Sequence, residues 1–195
     1  MKRFTATILL ILCLLPISAA TEREISITSG YDIYGLKDDP VFMYSIPIGI
    51  SDGSYFNSTP LGIISEFDLY IPQYYRYGEK DSDPDPFRNS LYMDYTLYAA
   101  VKLRMKPLDL FMGIGFFGSV RYLQFNETGT LQVLINAGPR LKIGTDIHIC
   151  NFLSLRIAVD GSLYLLRNDF LSSKGMETGL AALSVTPEIG MTFNF

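Results

Sequence analysis

The sequence predicts an all-β chain folded as one closed barrel of eight antiparallel, up-and-down strands. Three observations predict it: apolar residues alternate strictly over long stretches, turn signals separate the stretches, and high hydrophobicity occurs without a run long enough for a spanning helix. Of 195 residues, 48% are hydrophobic and the mean hydropathy is +0.21, yet the longest unbroken apolar run lies within the first twenty residues. A barrel whose every second residue faces lipid has this composition, so the expected class is a transmembrane β-barrel.

The elements follow in order. Lys2-Arg3, the apolar segment Ile8 to Leu15, Pro16 and then Ser18-Ala19-Ala20 make a secretory leader over residues 1–20, cleaved after Ala20. Residues 21–195 then form the barrel, about 175 residues and a single domain. Cys13 lies inside the apolar segment behind the bulky Leu12, which argues against acylation there. Its removal leaves Cys150 as the mature chain's only thiol, so no intramolecular disulfide forms and the sheet itself must supply stability.

Ile25, Ile27, Tyr31 and Ile33 mark the first strand, Phe42 to Ile50 the second, and Leu61 to Ile71 the third. The fourth is the clearest: from Leu91 to Met105 every odd residue is apolar. A strand of that length extends about 46 Å and, tilted at about 45°, covers about 33 Å, against an apolar band of about 25 Å in an outer-membrane barrel. Leu110 to Tyr122, Leu131 to Ile143, Leu153 to Leu165 and Leu183 to Phe195 complete the eight. Pro47 and Pro187 fall inside these runs, where a missing ladder donor predicts local kinks. The connections Lys106–Asp109 and His148–Phe152 are short, whereas Pro72–Ser90 and Arg167–Thr178 are longer and polar. That asymmetry predicts both termini on the periplasmic side. Ser51–Pro60 breaks the pattern, being long where a short turn is expected.

The chain ends Glu188-Ile189-Gly190-Met191-Thr192-Phe193-Asn194-Phe195. This resembles the C-terminal signal that outer-membrane proteins present to the barrel-assembly machinery, with Phe193 and Phe195 as its aromatic positions. With the leader and eight strands, the chain resembles the small outer-membrane barrels typified by OmpX, OmpW and the OmpA membrane domain. The resemblance is one of architecture and carries over no ligand-binding residue. It implies outer-membrane lipid as surroundings and the assembly machinery as partner through the last strand.

The net charge of −4 and a pI near 5.0 exclude a nucleic-acid partner, which needs a basic face. Strand parity turns Glu66, Asp68, Asp94, Asp146, Asp160 and Glu188 inward with Lys102, Arg104, Arg121, Arg140, Lys142 and Arg156, as many acids as bases. An eight-stranded barrel is only wide enough for side chains to fill it, so these charges are expected to pair and plug the lumen. Hairpin register and charge together predict Met105 opposite Leu110 and Asp94 opposite Arg121. In the following hairpin they predict Lys142 opposite Asp160 and Asp146 opposite Arg156, because opposite charges across a ladder are favourable.

Other candidates for chemistry are weak. His148 and Cys150 are two soft ligands where zinc wants three or four, so no metal or cofactor is expected. The single histidine sits in an expected turn away from lipid-facing serines, which weakens any Ser-His-acid hydrolase. Asp81-Ser82-Asp83-Pro84-Asp85 has alternate acids, but Pro86 replaces the glycine of a calcium loop and the last ligand is missing. Tyr74, Tyr75 and Tyr77 suit either an interfacial girdle or a surface contact. The sequence therefore predicts a non-enzymatic surface barrel serving envelope structure or adhesion, with Pro72–Ser90 as the candidate surface for an extracellular ligand. The alternative is a narrow channel or small-solute carrier of the OmpW kind. A soluble lipocalin-like carrier would turn the same alternation inside out.

Overall fold

The computed structural model describes residues 20–36, 41–56, 59–77, 87–125, 131–169 and 177–195. Nine strand segments result: β1 (Ala20–Gly30), β2 (Asp32–Leu36), β3 (Val41–Phe56), β4 (Leu61–Tyr77), β5 (Phe87–Met105), β6 (Leu108–Phe125), β7 (Leu131–Cys150), β8 (Leu153–Asp169) and β9 (Glu177–Asn194). β1 and β2 form one stave. Both pair with β3 on one side and β9 on the other, and the register continues through the gap, from Ser29 opposite Ile48 to Asp32 opposite Ser45. Eight staves thus close into an all-antiparallel barrel in which β1 and β2 seal against β9. The expected leader lies outside the described residues except for Ala20, which opens β1.

The break falls at Tyr31, and continuity of register puts Pro187 opposite Tyr31 and Pro47 opposite Gly30. Proline donates no ladder bond, so the stave between the two prolines loses partners from both sides. The Tyr31 N–H still donates to the Pro187 carbonyl at 3.1 Å. A third proline, Pro139, lies where the β7–β8 register shifts between Ala137 and Arg140.

Alternation decides what faces where. On β6, Leu110, Met112, Ile114 and Phe116 point outward, with Ile114 62% and Phe116 57% exposed, while Phe111, Phe117, Ser119 and Arg121 are buried. Leu97, Leu103, Ile135, Ile157 and Val159 are likewise exposed, with Val101 and Val133 half-exposed, so the expected lipid-facing set lies on one continuous outer surface. The charged side chains described as not buried are Glu22, Arg23, Asp52, Arg104, Lys106 and Arg167, which lie toward strand ends. Along β6 the apolar outer face from Leu110 to Tyr122 spans about 28 Å of membrane normal at a 45° tilt, close to an outer-membrane band of about 25 Å.

Two expectations need correction. The Ser51–Pro60 connection is mostly strand, because Ser51, Gly53 and Tyr55 continue the inward parity of β3 and pair with both β1 and β4. Polar residues hide this end of the strand, including Asp52, whose carboxylate pairs with Arg23 at 2.6 Å. The β5–β6 hairpin is also tighter than expected. Met105 faces Leu108, Asp94 faces Ser119 and Arg121 faces Tyr92, so neither Met105–Leu110 nor Asp94–Arg121 is a cross-strand pair. Leu108 and Asp109 belong to β6, leaving Lys106-Pro107 as the whole turn. A hairpin longer by two residues keeps the same faces, so alternation alone does not tell the two registers apart. The β7–β8 hairpin has the expected register, with Lys142 opposite Asp160 and Asp146 opposite Arg156.

Ile114 lies near the middle of the outer face. Ile114→Arg is expected to cost about 2 to 4 kcal/mol when the barrel is unfolded from lipid vesicles by denaturant. A neutral effect at this position would remove lipid from the outer surface.

Candidate functional site

The inward residues form stacked tiers, counted from the end at which β1 begins and β9 ends. In the first, Lys102 Nζ pairs with Glu24, with Asp146 at 3.0 Å and with Asp109 at 3.5 Å. Arg156 grips Asp146 with two nitrogens at 2.7 and 2.8 Å and reaches Glu24 at 3.2 Å. Its guanidinium lies over the Phe111 ring, 4.4 Å from the centroid. A bidentate fork of this kind holds a carboxylate in one orientation.

The second tier is built on Lys142, whose ammonium is 2.6 Å from Glu66, 3.0 Å from Asp160 and 2.9 Å from Glu188. Tyr98 donates its hydroxyl to the other Asp160 oxygen at 3.0 Å. The third is built on Arg140, which donates to Asp94 at 2.5 Å, Asp68 at 3.0 Å, Thr96 at 3.0 Å and Ser162 at 2.6 Å. In the fourth, Arg121 sits among the rings of Tyr34, Tyr92 and Tyr164, 4.0, 5.0 and 4.9 Å from their centroids, and donates to the Tyr164 hydroxyl at 2.7 Å. Nearby Asp32 accepts from Thr186 at 2.7 Å and Ser45 at 3.3 Å.

Eleven of the twelve inward charges named from sequence are buried, and Lys142 with Asp160 and Glu188, Asp146 with Arg156, and Asp94 with Arg140 are brought together. Arg121 is not. It has no carboxylate within ion-pair distance among the described residues, and its surroundings are π faces, which attract a guanidinium through the ring quadrupole. Arg104 was assigned to the interior but is at the rim, 36% exposed and 2.5 Å from Glu22. Three buried acids escaped sequence reasoning: Glu24, Asp32 and Asp109. Parity on the first strand marks Glu24 and Asp32, since they alternate with Ile25, Ile27 and Ile33, whereas Asp109 was hidden by the misjudged turn. Counting them, nine buried acids face five buried bases among the described residues.

At the mouth beside the start of β1 and the end of β9, the chain's single histidine is held on both nitrogens. Ser154 Oγ is 2.9 Å from His148 Nδ1 and Asp109 Oδ2 is 3.0 Å from Nε2, while Asn194 donates to Ser154 at 3.1 Å. The serine that reaches His148 is thus an inward-facing one, not one on the outer face. Ser154 faces inward from β8 and is fully buried, and an open recess of about 180 Å³ is lined by His148, Asp109 and Asn194 but not by Ser154. A hydroxyl without an approach path does not serve as a nucleophile, and a histidine engaged on both sides has no nitrogen left for a metal. The arrangement ties β6, β7, β8 and β9 together where the barrel ends. Phe193 pairs with Ile25 and Leu153, and Phe195, 74% exposed, joins Arg23 through its backbone at 2.9 Å. Residues 81–86, with the acidic run, lie outside the described residues.

Breaking the bidentate pair from one side takes from a buried charge its two-pronged partner and leaves it one weaker ionic contact, to Glu24 for Arg156 or to Lys102 for Asp146. Asp146→Asn or Arg156→Met is expected to destabilise by about 3 to 5 kcal/mol in urea unfolding, and joint replacement of both by apolar residues by less. Equal losses in the single and double variants would mean the pair is not coupled.

No protein-family model matches the chain, and no curated protein does either. Solved structures do. Neisserial surface protein A superposes with a TM-score of 0.63 at 10% identity, over 89% of this chain and 97% of that one. OprG from Pseudomonas aeruginosa gives 0.58 at 11% identity, over 90% and 97%. Ail, the attachment invasion locus protein of Yersinia pestis, gives 0.56 at 11% identity, over 89% and 98%, and has also been crystallised with the heparin analogue sucrose octasulfate. At these identities the likeness is one of fold: this chain has the closed, eight-stranded antiparallel architecture found in small bacterial outer-membrane barrels.

Proposed function

We propose that the chain is a non-enzymatic barrel of a bacterial outer membrane, exported by residues 1–20, with both termini periplasmic and its longer connections at the cell surface. The observation that carries this reading is the contrast between the two faces of the same strands. The outer surface is apolar over a membrane's thickness, and the inner one is a stack of buried charges. A soluble barrel that carries an apolar ligand has the opposite arrangement. Outer-membrane lipid is then the partner of the outer face, and the barrel-assembly machinery is the partner of β9 through Phe193 and Phe195.

Within that reading the tiers plug the lumen, and the work is done outside it, by the connections that contain Pro72–Ser90 and Arg167–Thr178. The fold is shared with a neisserial surface protein and with an attachment protein that accepts a heparin analogue, which supports surface interaction as the role. The strands run into both connections: β4 continues to Tyr77, β5 begins at Phe87, β8 continues to Asp169 and β9 begins at Glu177. One observation favours a narrow channel instead. At Arg121 the lumen is closed by rings and not by ion pairs, and a ring cage makes no ion pair to hold it shut.

Planar-bilayer recording of the purified protein separates the two readings. A plugged barrel gives no stepwise current, whereas discrete steps establish the channel. Fractionation with surface proteolysis is expected to place the chain in the outer membrane, with cleavage confined to the longer connections. Deleting Phe195 is expected to lower the outer-membrane level of the protein, measured by heat-modifiable migration on a detergent gel. An unchanged level would show that the final aromatic is not part of an assembly signal.

A further inference from the structure

The excess of buried acids is not spread evenly. The tier on Lys142 sets three carboxylates against one ammonium, and the tier on Arg140 sets two against one guanidinium. One oxygen from each of Glu66, Asp160 and Glu188 lies within 4.8 Å of the other two. Glu66 Oε1, Asp68 Oδ1 and Asp94 Oδ1 are buried and accept no hydrogen bond, on side chains that are each 1% exposed. The first tier also holds an excess acid, but it leaves no buried carboxylate oxygen without a hydrogen bond among the described residues. The surplus charge and these vacant acceptors therefore coincide.

Tyr70 on β4 accepts from Arg140 at 3.4 Å without adding charge, and the Arg121 cation of the next tier acts on Asp94 only from beyond ion-pair distance. β4 contributes Glu66 and Asp68, β5 contributes Asp94 and Tyr98, β7 the two cations, and β8 and β9 contribute Asp160 and Glu188. The remaining staves face the same tiers with groups that do not ionise: Thr28 on β1, Gly49 on β3 and Gly113 on β6. A Cβ on Gly49 would lie 2.5 Å from Asp68 Oδ1 and 2.7 Å from the Thr28 hydroxyl, and one on Gly113 would lie 3.2 Å from Tyr98. There is no room for a further cationic side chain.

An isolated ionised carboxylate in an apolar surround costs so much that it is neutralised instead. Ordinary bound cations are poorly served here, because the Lys142 ammonium already touches all three acids of its tier. We infer that these two tiers are a proton-binding site, in which hydrogens held on the surplus carboxyl groups, on Glu188 beside Asp160 and on Asp68 beside Glu66, complete the plug that the two cations leave short of neutrality. A proton between two carboxyl oxygens turns a vacant acceptor and its neighbour into a donor–acceptor pair. The plug then depends on pH with a definite sign. It is complete while the protons are bound and loosens as rising pH removes them, leaving like charges face to face.

This inference rests on the barrel being surrounded by lipid, and the experiment keeps the two apart. The full barrel is inserted into phosphatidylcholine vesicles, and insertion is verified by heat-modifiable migration before anything else is read. Failure to insert overturns the membrane reading. For the inserted protein, infrared spectroscopy in light and heavy water is expected to show the carbonyl stretch of protonated carboxyl groups, amounting to about one to three per chain. The band should weaken in Glu188→Gln and in Asp68→Asn, and it should fade as pH is raised in step with a fall in the temperature of the gel shift. Because an amide is neutral like a protonated carboxyl, Glu188→Gln should keep or raise that temperature at neutral pH. An inserted wild-type barrel without the band overturns the inference and needs no variant to do so. So does a band untouched by both substitutions, or a stoichiometric divalent cation found by elemental analysis and removed by chelator.

Discussion

The structure depends on one constraint: a strand in a closed eight-stave barrel has two faces and nowhere else to put a side chain. One face meets the surroundings, and the other meets a lumen just wide enough to be filled. Every charged residue within the span must therefore enter the lumen, where it is tolerable only beside an opposite charge or a donor. From this follow the uncharged outer surface, the stacking of Lys102, Lys142, Arg140 and Arg121 along the axis, and the small residues that face them. Gly49 is an example, since its missing side chain is the space that Asp68 and Thr28 occupy.

Lumen geometry also explains why a neighbouring-strand rule finds only some of the ion pairs. In an open sheet, charges are matched with the residue across the ladder. Here a long side chain reaches past its neighbours to the far wall. Arg140 on β7 finds Asp94 on β5 and Asp68 on β4, and Lys102 on β5 finds Glu24 on β1. The pairs that the ladder does predict, Lys142 with Asp160 and Asp146 with Arg156, are those where adjacent staves supply both charges.

The fold was legible because a period of two, held over many residues, has few other causes, and Leu91 to Met105 alone was enough to show it. Parity was equally reliable: of the inward set only Arg104 lies elsewhere, because it stands at the rim where the lumen opens to water. Register was not legible at the Lys106-Pro107 turn, since two hairpins of different length leave the same faces in place. The end of β3 was hidden by Ser51-Asp52-Gly53-Ser54, whose polarity reflects a position beyond the apolar belt and reads as loop. The site was half visible. Its members could be named from parity, but whether Arg121 meets a carboxylate or three tyrosines depends on side chains from staves distant in sequence.

The far-wall contacts work as spokes on a hub. Lys142 touches acids carried by three different staves, and Arg140 is held by β4, β5 and β8 at once. No stave can peel away without unseating a hub that several others share, so the rim is braced against local fraying across its diameter as well as around its circumference. Inheritance is braced in the same way. A change at Lys142 is felt together at Glu66, Asp160 and Glu188, so tolerated variation in the interior should arrive in sets of three or four positions, while the outer face drifts one residue at a time.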